Sequence, residues 1–244
     1  MRFPIDRFIL HKVIEPNFRG RDFVVGDIHG HLDKLIDALC KVNFDFTADR
    51  LFCAGDLIDR GPKSVETIDV FSTEAWAHST LGNHEWILIR EMTGDPKMVA
   101  LAQEIRCGAE WRSDIDSKTL DILVEKIYQN FPIAMTVKTR SGYKVGLIHA
   151  SPPENWDIFN SPDEEFFDHW TNHLWSRDKC KAALTGAKIQ CGGIDAVVCG
   201  HHTIEQPVVA GNVAFVDTHV SWSGEGEFTV LQLEELLERV ENFL

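Results

Sequence analysis

No apolar run in the chain approaches the ~18 residues needed to cross a bilayer, so no membrane-spanning helix is expected. The opening stretch, MRFPIDRFILHKVIEP, has neither a long apolar segment nor a small-residue cleavage site and does not read as a secretory leader. Cysteine is sparse and unpatterned: Cys40, Cys53, Cys107, Cys180, Cys191 and Cys199 form no C-x-x-C pair, and three sit in apolar runs. That predicts reduced, mostly buried thiols in a cytoplasmic protein. Positive charge is also in short supply, with 24 basic against 38 acidic residues and a net charge of −14. Nonspecific binding to nucleic acid or to an anionic membrane is therefore not expected. A local anion site remains open, because two bound divalent cations would bring four positive charges of their own. Repeats and low-complexity tracts are missing as well. What is present is ordinary for a soluble globular chain: 244 residues, 44% apolar and 25% charged. That length suits one large domain or two small ones and can bury a core without disulfide staples.

Apolar periodicity divides the chain. Phe23-Val24-Val25 and Leu51-Phe52-Cys53-Ala54 are short apolar runs that each lead into Gly-Asp, and residues 76–81 form a weaker third. Between them, residues 31–41 have helical spacing at Leu32, Leu35, Ile36 and Leu39, and residues 62–71 read as a helix with Pro62 near its first turn. A short helix is expected over 86–92. This βαβαβ order predicts parallel pairing. Residues 95–130 look mainly helical and mixed in polarity, a cap or insertion rather than an independent domain, so residues 1–244 read as one catalytic domain. Residues 133–137 and 144–148 flank Arg140-Ser141-Gly142, and residues 207–210 and 213–216 flank Gly211-Asn212, two hairpin signals. Residues 196–199 read as a buried strand, 163–175 and 234–244 as helices, and 228–233 as a last strand. The expectation is a layered α/β sandwich with mixed β-sheets flanked by helices. Binding residues in such folds gather beyond the carboxyl ends of strands.

Five apolar runs end in residues that can ligate a metal. They lead into Asp27 and His29, into Asp56, into Asn83, into His149 and into His201. One such junction is a weak signal; five, all offering oxygen or nitrogen, are not easily an accident. These residue types fit two divalent cations. Asp27 and His29 can turn toward one ion if the loop between them curls. Asp56 is the natural bridge, since a carboxylate has two oxygens, and Asn83, His149 and His201 would complete the second ion. Carboxylate, amide and imidazole without thiolate suit Mn²⁺, Fe or Zn²⁺, with Mn²⁺ the first choice and Ni²⁺ a further alternative.

GDIHG, GDLIDRG and GNHE, followed by separated histidines at 149 and 201, closely resemble the motifs of the metal-dependent phosphoprotein phosphatases. The chain's size and its His149-Ala150-Ser151-Pro152 context are similar to the small bacterial and lambda-phage type. The resemblance covers about residues 20–220. It implies a calcineurin-like metallophosphoesterase fold and a two-metal phosphatase acting on phosphoserine or phosphothreonine in proteins or peptides, with phosphotyrosine a further class. By the same resemblance, Asp27, His29 and Asp56 hold one metal, and Asp56, Asn83, His149 and His201 the other. Arg60, Asn83 and Arg177, the last in Trp175-Ser176-Arg177, would grip the phosphate. His84 would protonate the leaving group with Asp59 behind it. The absence of Gly-Gly after His149 and of a long tail implies a free-standing catalytic unit with no obligatory regulatory subunit; no oligomeric state is implied.

The chemistry supports the same roles. Phosphate monoesters hydrolyse so slowly that catalysis can approach ~10²¹-fold, more than any single side chain supplies. Two metals stabilise both attacking and leaving oxygens and lower the pKa of water toward ~7, so direct attack by a metal-bridging hydroxide is expected. Diadenosine tetraphosphate hydrolases of the same fold are the alternative; their first motif tends to carry Gln where His29 stands, and their second tends to lack the aspartate that stands here as Asp59 before the arginine. A catalytically dead phosphobinding module would show degenerate ligands, and here the set is intact.

Taken singly, each residue has a plainer explanation. Asp27 or Asp56 could cap the next helix, Asp59-Arg60 could be a surface pair, His149 a bonded core residue, and Arg177 a helix-end arginine. His169 and His173 have metal-like spacing but lack a zinc-protease glutamate between them. They read as structural or rim residues, as do His31 and His202, and His219 is not expected to be catalytic. The tryptophans are mainly core candidates, with Trp111 and Trp156 alternatives for lining a substrate groove.

Overall fold

The short apolar runs pair as strands because each can bury both of its faces. A computed structural model of the chain describes residues 7–104, 107–218 and 225–241. In it, β1 (His11–Ile14), β2 (Asp22–Val25), α1 (Leu32–Lys41), β3 (Arg50–Cys53), α2 (Ser64–Thr73), β4 (Ala77–Ser79) and α3 (Asn83–Met92) come first. There follow α4 (Pro96–Glu104), a 3₁₀ turn at Glu110–Asp114, α5 (Ser117–Asn130), β5 (Ala134–Lys138) and β6 (Lys144–Ile148). The rest comprises a 3₁₀ turn at Trp156–Phe159, α6 (Glu164–His169), α7 (Asn172–Trp175), α8 (Asp178–Leu184), β7 (Ala196–Cys199), β8 (Val208–Ala210), β9 (Val213–Phe215), β10 (Leu231–Gln232) and α9 (Leu233–Glu241).

Two mixed sheets result, ordered β10-β2-β3-β4 and β1-β5-β6-β7-β9-β8. The expected parallel βαβαβ is there: β2 pairs parallel to β3, and β3 to β4. Both expected hairpins close antiparallel, β5 with β6 and β8 with β9. Side chains alternate between faces along the strands. Val24 and Phe52 join Met135, Val137, Val145, Leu147, Val198 and Ala214 in one cluster between the sheets, with Leu233, Leu236, Leu237 and Val240 of α9. Phe23, Val25, Leu51 and Cys53 point the other way, into the cluster that holds Leu35 and Leu39 of α1 and Ile68 and Phe71 of α2. Such two-sided burial explains why these strands read as continuous apolar runs. Phe52 is fully buried, and truncation to Ala is expected to cost about 3–5 kcal/mol.

Several elements differ from the expectation. α3 begins at Asn83, not at 86, so Asn83 and His84 occupy its first turn. The helix expected over 163–175 breaks at Trp170-Thr171 into α6 and α7. α8 and the edge strand β1 were not foreseen, and β10 is shorter than its apolar run. Residues 95–130 hold α4, a 3₁₀ turn and α5. All six cysteines are unpaired, five of them buried and Cys40 exposed. Among the described residues no helix is long and apolar enough to cross a membrane.

The registers matter most for function. Val25 lies opposite Cys53, and Cys53 opposite Ser79, so three parallel strands end level and release their loops at one edge. β6 and β7 do the same in the other sheet, with Leu147 opposite Val198.

Candidate metal centre

The five loops meet. The Asp27 loop is tied to the Asp56 loop by backbone bonds: Ile28 and His29 N–H donate to the Asp56 carbonyl at 2.9 and 2.8 Å, and Gly30 N–H to Leu57 at 2.7 Å. Gly200 N–H donates to the His149 carbonyl at 2.7 Å, and His201 N–H to Asp27 Oδ1 at 2.9 Å, which joins the sheets. Gly55 has φ +102, and a Cβ there would sit 2.8 Å from the His149 ring, so only glycine lets the second loop pass. Of six non-glycine residues with positive φ among those described, five are here: His29, Asp56, Asp59, Arg60 and His201. Strain of that kind persists only where surrounding contacts over-determine it.

The structure brings together every metal-type residue expected from sequence. Asp27, His29, Asp56, Asn83, His84, His149 and His201 are all buried. Asp56 is shared by two groups, one with His29 and His84, the other with His149 and His201, whose ligand atoms all lie within 4.8 Å of one another. Asp27 Oδ2 and Asp56 Oδ2 each lie 3.7 Å from His29 Nε2. The capping explanation for the aspartates fails: His31 and Lys63 occupy the N-cap positions of α1 and α2.

The donor set fits divalent cations. His29 Nδ1 donates to the Ile58 carbonyl at 2.9 Å and His149 Nδ1 to the Ala54 carbonyl at 2.8 Å. Each ring is thereby fixed in the tautomer with its Nε2 lone pair facing inward, as metal-binding histidines require. His149 Nε2 then faces Asn83 Oδ1 at 2.8 Å, two acceptors turned toward each other. A cation between them satisfies both. Burial pushes the pKa of His29, His149 and His201 down, well down for His29 and His201, which favours the neutral rings that metal ligation requires. Burial, then Asp217 and Asp56, push the Asp27 carboxyl well up, and buried carboxylates gathered in this way call for a cation.

His84 differs. Burial opposes its charge, but the carboxylates of Asp56 and Asp59 outweigh that and raise its pKa. Its Nδ1 donates to Asp59 Oδ2 at 2.7 Å, and its Nε2 lies 3.8 Å from Asp56 Oδ2. Asp59 is fully buried, so it is no surface partner of Arg60. Burial works against its charge, but His84, Arg112 and Trp111 overcome this and hold its carboxyl below the ordinary range. Arg60 Nη1 donates to His29 Nε2 at 2.6 Å. Arg177 is exposed at the N-cap of α8, and its field helps depress His149 and His201.

Other expected residues fall elsewhere. His173 Nδ1 donates to the Ser151 carbonyl and its ring stacks on Phe166, while His169 is exposed at the end of α6. Trp156 is a core residue whose Nε1 donates to Thr136. His219 and Trp222 lie outside the described residues. Sequence reasoning gave no role to Glu85, whose carboxylate accepts N–H groups from Asp56, Leu57, Ile58 and Gly82 at 2.8–3.2 Å. Its signal was present: a glutamate three residues after an N-cap is half of a capping box. Arg112 also went unmarked; no local pattern links it to Asp59.

The model of the calcineurin-like phosphoesterase family matches residues 23–205. Serine/threonine-protein phosphatase 2 of Escherichia coli is 28% identical over 211 residues, 84% of this chain and 90% of its own. The symmetrical bis(5'-nucleosyl)-tetraphosphatase of Nitrosococcus oceani is 32% identical over 139 residues, 56% of this chain and 45% of its own. A crystal structure assigned provisionally as a diadenosine tetraphosphatase superposes with a TM-score of 0.58 at 20% identity, covering 91% of this chain and 97% of the other; it shares the fold.

Proposed function

The chain belongs to the calcineurin-like phosphoesterase family, and from that membership we propose that it is a metal-dependent serine/threonine protein phosphatase. Asp27, His29 and Asp56 would hold one divalent ion, and Asp56, Asn83, His149 and His201 a second. Manganese is the ion we assign first, ahead of iron, zinc and nickel. When bound, such a pair lowers the pKa of water toward ~7 and balances charge on the phosphoryl oxygens.

The protein's own groups do the rest. Arg60 and Arg177 offer planar forks of donors that match phosphate oxygens, and Asn83 adds an amide. Asp59 holds His84 Nδ1, which leaves Nε2 as the atom that hands a proton to the leaving oxygen. A cavity of about 810 Å³, lined by Ser151, Pro152, Glu154, Phe166, Asn172 and Ser176 of the segment that follows His149 in the chain, has room for a peptide. Six unpaired thiols support a reducing, cytoplasmic setting.

One observation carries the choice of substrate: the buried His84–Asp59 pair, 2.7 Å apart and opening on Asp56. A serine alkoxide is a strong base and leaves far faster with a proton, whereas a nucleotide phosphate, with a second pKa of about 6, leaves without one. The Nitrosococcus relative favours the second reading, dinucleoside tetraphosphate hydrolysis. Mn²⁺-dependent kcat/KM values on a phosphoserine peptide and on diadenosine tetraphosphate separate the two. We expect the peptide to lead by about tenfold or more, the smaller share of a general acid's usual effect; a dinucleotide lead of that size reverses the assignment.

A further inference from the structure

We propose that the insertion between α3 and α5 braces the Asp59–Arg60 pair, with Arg112 and Trp111 as positioning residues for the proton donor. The inference rests on the reading of His84 as that donor. Asp59 and Arg60 are consecutive non-glycine residues with φ of +73° and +67°, a conformation that neither adopts without outside support. Much of that support comes from one segment fifty residues further on. Trp111 Nε1 donates to Asp59 Oδ1 at 2.8 Å. Arg112 Nη2 lies 2.8 Å from Oδ1 and 2.7 Å from Oδ2. Arg60 N–H donates to the Gly108 carbonyl at 3.0 Å. Gly108 has φ +76°, and a Cβ on it would lie 2.5 Å from the Arg60 nitrogen, so this approach requires glycine. Arg112 also reaches Glu91 through Nη1, which returns the brace to α3, the helix that carries Asn83 and His84.

The consequence is geometric. A carboxylate with one partner can turn about its Cβ–Cγ bond. Two donors, Trp111 Nε1 on Oδ1 and Arg112 Nη2 shared by both oxygens, hold Asp59 so that Oδ2 meets His84 Nδ1, and His84 Nε2 is thereby aimed at Asp56 Oδ2. The insertion is then part of the proton-delivery apparatus. A network that only stabilised the fold would slow all substrates alike, whereas a brace for the proton donor matters most where the leaving group needs a proton.

The test compares Arg112→Ala, Arg112→Lys and Trp111→Phe with the wild type, all saturated with Mn²⁺ and verified as folded by their melting curves. Substrates are a phosphoserine peptide, whose leaving group needs a proton, and 4-nitrophenyl phosphate, whose leaving group does not. For Arg112→Ala we expect kcat on the peptide to fall about tenfold to hundredfold and on the aryl ester only about threefold, a fraction of a general acid's effect. Arg112→Lys should recover part of the loss, and Trp111→Phe should show the same split more weakly. In the metal-free protein, the downfield NMR signal of His84 Nδ1–H should broaden in Arg112→Ala. Equal losses on both substrates, or none, overturn the proposal. A wild type that ignores the peptide but cleaves the dinucleotide refutes the phosphatase reading instead, and the split can then still be read on an alkyl phosphate.

Discussion

Glu85→Gln tests how far the metal loops depend on one buried side chain. In the wild type a single carboxylate accepts four backbone N–H groups, two on each oxygen, and three belong to the loop that starts at Asp56. Glutamine keeps the shape and one oxygen but turns an NH₂ toward the other two donors. A buried N–H left without an acceptor costs about 1–3 kcal/mol, so the substitution should cost about 2–6 kcal/mol. Burial and the Asp56 charge push the Glu85 carboxyl up to about 8, and a cation beside Asp56 removes the second of these pressures. The measurement therefore belongs in Mn²⁺, where the carboxylate is favoured. For a chain of this length each kcal/mol shifts Tm by about 2–4 °C, so a fall on the order of 10 °C is expected. Because the Asp56 loop loses its anchor, Mn²⁺ affinity should also fall by about 10–100-fold. Calorimetric unfolding and Mn²⁺ titration read the two effects separately. A variant with wild-type Tm and wild-type Mn²⁺ affinity would refute the argument that these four bonds hold the site.

His84→Asn should lower kcat on a phosphoserine peptide by about 10²–10⁴-fold while metal content persists; a wild-type rate removes His84 from its role. Arg60→Ala should weaken phosphate binding and transition-state stabilisation, seen as a lower kcat/KM, and equal activity on alkyl phosphates contradicts it. Asp56→Asn removes the shared carboxylate, so metal analysis should find both ions depleted, and unchanged content speaks against a bridge.

Much of the architecture was legible because strands buried on both faces must be apolar throughout. Val24-Val25, Phe52-Cys53 and Val197-Val198 announce themselves for that reason, and the ligands stand just beyond the carboxyl end of each run. Elements that carry little apolar signal were missed. β1 is a half-exposed edge strand, so His11-Lys12-Val13-Ile14 shows no pattern of its own. The break between α6 and α7 has no Gly or Pro to mark it, since Trp170 is buried and keeps helical spacing across the gap. The start of α3 was placed late because Asn83 and His84 are polar, though the chain needs them in the first turn. The Asp59–Arg112 contact spans 53 residues and depends on tertiary folding alone. Glu85 was legible as a helix-start residue, but its grip on the Asp56 loop was not, because those donors come from another loop.

The most direct test of the shared-carboxylate site is a crystal grown with manganese and measured at the metal's absorption edge. Two anomalous peaks about 3.5–4 Å apart, one on each side of Asp56, are predicted, with Asp27 and His29 at one and Asn83, His149 and His201 at the other. A single ion, or two ions that do not share Asp56, contradicts the account.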